Sequence, residues 1–148
     1  MIEKGHSFLM LKISTPTKIS FYEEHMKLIK ENGFVWFCRF GKSNLVLKSI
    51  NKYGNLVFVK DSVKNGNKRY LLEFSEISPT PPQTGYPEYY NSVDKYKSLW
   101  FKVNSITELD SEIFDSSFHL SSSGGNLSSA YRSMCNSFYI TCNKDFNF

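Results

Sequence analysis

Residues 20–40 read SFYEEHMKLIKENGFVWFCRF, and they hold a complete switch from helix to strand. Ser20 and Glu23 have the spacing of a capping box: the Ser20 hydroxyl can accept from the Glu23 amide, and the Glu23 carboxylate can reach back to the Ser20 amide. Phe21, Met26, Leu28 and Ile29 follow roughly helical spacing, with His25 beside Met26. Gly33 is the residue type that ends a helix in the left-handed conformation. The pattern predicts a helix over residues 20–32. Residues 34–40, FVWFCRF, are dense in aromatic and β-branched side chains, which predicts a strand.

Working outward, short apolar runs at residues 7–13, 45–50, 56–60, 69–77, 99–106 and 138–142 predict further strands. Pro16 ends the first. Turns are expected at 41–44 and around Gly54, and Asn65-Gly66-Asn67 predicts a hairpin loop. Residues 78–90, SPTPPQTGYPEYY, carry four of the five prolines. A sheet interior cannot absorb them, so this segment is a loop. Residues 110–117 predict a short helix or turn, 120–126 (LSSSGGN) a loop, and 127–134 a short helix. The order β-α-β-β-β-β-loop-β-α-β predicts an α+β, β-rich domain. Short connections favour antiparallel neighbours, in a curved sheet or small barrel with flanking helices. No internal repeat interrupts the chain, and 148 residues fit one domain with its own core.

The three cysteines, Cys38, Cys135 and Cys142, do not form the paired spacing of a disulfide framework, which points to free thiols in a reducing cytoplasm. His6, His25 and His119 lie far apart, and no Cys/His cluster has zinc-ligand spacing, so neither a metal nor a cofactor is expected. No stretch approaches the roughly 18–20 apolar residues of a membrane span.

Catalytic motifs are missing. Gly41-Lys42-Ser43 looks like the tail of a phosphate-binding loop, but Trp36 stands where that motif needs its first glycine. Ser121, Ser122 and Ser123 lie near His119 without a GxSxG elbow. Asp110 and Glu112 sit at period two near a turn, where solvated surface is the default. An enzyme is not expected.

The aromatic content, 16%, is high enough to need an account. Strands bury rings, so most of the phenylalanines belong to the core. Trp36, Tyr86, Tyr89, Tyr90 and Trp100 have a second reading as a ligand cage, because rings stack on nucleobases. The net charge of +4 favours anionic partners weakly. Lys64, Lys68 and Arg69 cluster at the predicted hairpin, and Lys95 and Lys97 follow the aromatic loop. They are either a solvated face or a nucleic-acid footprint.

Several segments together resemble a PUA-like domain, closest to the EVE branch: Phe8-Leu9-Met10-Leu11-Lys12-Ile13, the helix before Gly33, and residues 35–42. Residues 70–77 leading to Tyr86-Pro87-Glu88-Tyr89-Tyr90 also contribute, as do Leu99-Trp100-Phe101-Lys102-Val103 and the closing residues 127–140. The resemblance implies a small barrel with a pocket for an extruded, often modified base. It further implies a specificity role in prokaryotic defence or restriction, beside an ATPase or nuclease partner, with DNA favoured over RNA. On that basis Trp36 and Trp100 are expected as pocket walls and Tyr89 and Tyr90 as a lid or second wall. Ser122, Ser123 and Asn126 would bond a base edge, and Lys64, Lys68, Arg69 and Arg132 would meet phosphates. A competing expectation is a protein-interaction module that uses the loop at 78–90, since tyrosine is favoured at hot spots.

Overall fold

The computed structural model describes residues 1–42 and 50–148. Its elements run β1 (Ser7–Lys12), α1 (Phe21–Asn32), β2 (Val35–Phe40), β3 (Leu56–Lys60) and β4 (Arg69–Ser78). They continue with β5 (Lys97–Leu109), α2 (Ser111–Ser117), β6 (Phe118–Leu120), α3 (Leu127–Tyr131) and β7 (Ser137–Cys142). The helix read from residues 20–32 is α1. Its N-cap, Ser20, accepts from the Glu23 amide at 3.2 Å, and Gly33 closes it at φ 83° with its amide on the Ile29 carbonyl. The strand expected at 45–50 lies outside the described residues apart from Ile50, which is buried in a turn.

Among the described residues the strands form one seven-stranded sheet in the order β2-β5-β4-β3-β1-β7-β6. The fold is α+β and rich in strand. The short β3–β4 connection joins antiparallel neighbours as expected, and other pairs join strands that are not consecutive in the chain. β1 pairs with β3 in parallel, Leu9 opposite Val57 and Leu11 opposite Val59, and β2 pairs with β5 rather than with a sequence neighbour. A parallel pair needs a long crossover, and α1 with β2 lies within that connection. The remaining pairs are antiparallel.

β1 and β3 are central and buried on both faces, which explains their unbroken apolar runs. Leu9, Leu11, Val57 and Val59 face a core shared with Phe21 of α1 and with Phe37 and Phe101 of β2 and β5. Phe8, Met10 and Phe58 face the opposite core, closed by Phe114 of α2 and Leu127 of α3. Register irregularities at Glu73–Glu76 in β4 and at Arg39/Phe40 in β2 bend the sheet. The sheet curls until Arg39 of β2 donates from Nε to the Ser137 hydroxyl of β7 at 2.8 Å.

Candidate functional site

A cleft of about 360 Å³ opens where the end of β1 and the segment after it face β2 and the turn at Glu88–Ser92. Phe21, Phe37, Phe40, Tyr89 and Tyr90 supply rings to its wall. Lys12, Arg39, Lys60 and Lys95 supply cations, and no Asp or Glu lines it among the described residues. Its volume is within the usual range of small-ligand sites.

The wall is held rigidly. Asp61 accepts from the Thr15 amide at 3.1 Å, the Thr15 hydroxyl at 2.8 Å and the Ser62 amide at 2.8 Å, which pins the segment after β1 to the end of β3. On the other side, a chain of hydrogen bonds ties α1 to β2. The His25 Nδ1–H donates to the Phe21 carbonyl at 2.8 Å, so Nε2 is left as an acceptor for the Tyr90 hydroxyl at 2.5 Å. The Tyr90 oxygen in turn accepts the Cys38 amide at 3.3 Å. Burial pushes the His25 pKa down to about 4, against the opposing pull of the Phe21 carbonyl, so the ring is neutral. Burial also pushes the Cys38 thiol up to about 12, which makes it an inert packing group.

β2 meets β5 along one side. On its other side the Trp36 amide donates to the Gly85 carbonyl at 2.8 Å, and the Cys38 amide is taken by Tyr90. The proline-rich loop therefore covers a strand edge that would otherwise be open to pairing. Gly85 makes the approach feasible: φ is +89°, and a Cβ there would lie 3.2 Å from both Phe34 and Trp36. This edge-capping role explains why the loop is aromatic. Tyr90 is 1% exposed, and Tyr86 stacks on it at 6.0 Å.

Of the eleven residues expected at a site, Tyr89 and Tyr90 line the cleft. The others lie elsewhere. Trp100 is 1% exposed, packs with Cys38 and Tyr90, and is absent from the cleft lining. Trp36 is half-buried at the edge of the same cluster. Arg69 is buried, and its guanidinium holds both oxygens of Asp115 at 3.2 and 2.9 Å and the Asn67 carbonyl at 2.5 Å. Burial opposes its charge, but Asp115 and Tyr131 outweigh that and raise its pKa. Lys68 is exposed and pairs with Glu108 at 3.2 Å, while Lys64 and Arg132 are exposed away from the cleft lining. Ser122, Ser123 and Asn126 lie on the exposed loop between β6 and α3, outside the lining.

Sequence reasoning missed Lys12 and Lys60 as a pair. Their signal was present: β1 and β3 read SFLMLK and LVFVK, each an apolar strand ending in lysine. Missing was the parallel register that sets Lys12 opposite Lys60. No family model, curated protein or solved structure matches the chain.

Proposed function

We propose that the protein is a nucleic-acid-binding module whose cleft receives one base turned out of its strand. One observation carries this reading: aromatic rings and four cations line a single cleft, and no carboxylate lines it among the described residues. Rings supply the face on which a base stacks, worth about 1–3 kcal/mol per base in single-strand binders. Cations supply attraction for the phosphate backbone. Tyr89, half-buried on the wall, is the ring for stacking. Tyr90, locked by His25 and Cys38, is the rigid floor behind it. The PUA-like resemblance adds the finer proposal of a small barrel that selects a modified base, in DNA and alongside a defence ATPase or nuclease.

The test is a titration of the protein with single-stranded and duplex oligonucleotides carrying plain, methylated and hydroxymethylated bases at two salt concentrations. Binding that favours one modification and keeps that preference at the higher salt is the expected result. No binding to any of them at low salt overturns the proposal. Equal binding to all that collapses with salt leaves only a phosphate contact and overturns base recognition.

A further inference from the structure

Three neighbouring strands carry a row of cations at the end of the sheet. Lys12 of β1 is the register partner of Lys60 of β3, and Lys60 is the partner of Arg69 of β4. Like charges directly opposite one another across strands are unfavourable, and this row lies largely out of water: Lys60 is 8% exposed and Arg69 3%. Two of the three are satisfied. Arg69 has the Asp115 carboxylate. Lys12 donates to the carbonyls of Ala130, Tyr131 and Ser133 at 2.7 to 3.3 Å, which uses all three of its N–H groups.

Lys60, in the middle, is different. An ammonium has three donors. Among the described residues that of Lys60 makes one hydrogen bond, to the Asp61 carbonyl at 3.2 Å, and rests over the Tyr131 ring at 5.2 Å. The oxygens of Asp61 are engaged by Thr15, Ser62 and Asn65. Burial, then Arg69 and Lys12, push the Lys60 pKa down, against the weaker pull of Asp115 and Asp61. A buried cation with unused donors, flanked by two more cations, is a poor arrangement for stability alone. It suits an anion that enters from the cleft, which Lys12, Lys60 and Tyr131 all line.

We propose that the inner end of the cleft is a phosphate subsite centred on Lys60, with Lys12 adding its charge and Lys60 the hydrogen bonds. The proposal builds on the nucleic-acid reading of the same cleft and adds where the phosphate of the bound nucleotide sits. That phosphate is either the terminal monoester of a strand or free nucleotide, or an internal diester.

The full chain is titrated with inorganic phosphate, 2′-deoxyadenosine, 2′-deoxyadenosine 5′-monophosphate, and one short oligonucleotide with and without a 5′-phosphate. The monophosphate is expected to bind roughly tenfold or more tightly than the nucleoside, the scale of one or two charge-assisted hydrogen bonds. Inorganic phosphate should compete with it. Lys60→Met should abolish the ratio and Lys60→Arg retain most of it. Inorganic phosphate should raise the melting temperature of the parent and not of Lys60→Met. That variant should itself melt no lower than the parent, since it removes one charge from the row. Equal binding of nucleoside and monophosphate, or a ratio unchanged in Lys60→Met, overturns the subsite. Dependence on the 5′-phosphate of the oligonucleotide supports a terminal phosphate, and indifference with the monophosphate ratio intact supports an internal one. If phosphate binds through Lys60 while every oligonucleotide fails to bind, the subsite stands and the nucleic-acid reading falls. If oligonucleotides bind alike to parent and Lys60→Met, the reading stands and the subsite falls.

Discussion

Two aromatic regions overlap at Cys38, Phe40, Tyr89 and Tyr90 and differ in what they leave open. The outer one packs Trp36, Tyr86, Tyr90 and Trp100 around Cys38, with ring centroids 5.6 to 6.0 Å apart where Tyr86, Tyr90 and Trp100 meet. It covers the edge of β2. The inner one sets Phe37, Phe40, Tyr89 and Tyr90 against Lys12, Arg39, Lys60 and Lys95 across open space. Both regions are rich in rings, and the second adds a cleft of about 360 Å³ with four cations in its lining. Ring density therefore marks core by default. It marks a site where the rings share a cleft with cations and, among the described residues, with no carboxylate in the lining.

The sharpest way to break this contrast is to empty the outer cluster. Trp100→Ala should cost about 3–5 kcal/mol, the usual range for a large buried ring, seen as a lower denaturant midpoint. Trp100→Phe should cost much less, because the indole N–H has no hydrogen-bond partner among the described residues and its removal strands nothing. If Trp100→Ala leaves stability unchanged and weakens ligand binding, the division between the two regions is wrong.

The second prediction concerns acid. His25 has a folded pKa of about 4, below its ordinary value of about 6.5. Between these values the unfolded chain binds more protons than the native one. The contribution is therefore fully present above about pH 6.5 and is lost as pH falls through about 4, on the order of 3 kcal/mol in all. Urea unfolding at several pH values should show the slope, and His25→Gln should flatten it. A slope that survives in that variant assigns it to other groups.

The smallest expected effect on stability comes from the rim. Lys95 is exposed, and Lys95→Ala should stay within about 0.5 kcal/mol of the parent. The same substitution should lower the salt dependence of oligonucleotide binding by about one unit of slope, if the cleft meets a phosphate backbone. An unchanged salt slope would remove Lys95 from the interface.

Much of the fold was legible because it is local. The Ser20 cap and the Gly33 stop delimit α1, since both act within one helical turn. Residues 78–90 form a loop because proline has no amide to give a ladder. The site was less legible. Arg69 looked like a surface charge beside a hairpin, but its partner Asp115 is 46 residues away. Trp100 looked presentable, but its cover comes from Tyr86 and Tyr90. Burial of a particular ring or guanidinium depends on contacts that no local pattern encodes.

By itself, the sequence determined most of the described strands and helices, though not β6, the loop at 78–90, and that rings and cations would be plentiful. Short-range sterics, capping and hydrophobic periodicity set those features within a few residues. Only the tertiary structure decided that β1 runs parallel to β3. That one register sets Lys12 opposite Lys60 and opens a cleft between the end of β1 and β2. The physical reason is that strand order and curvature come from burying both faces of β1 and β3 at once, which joins residues far apart in the chain.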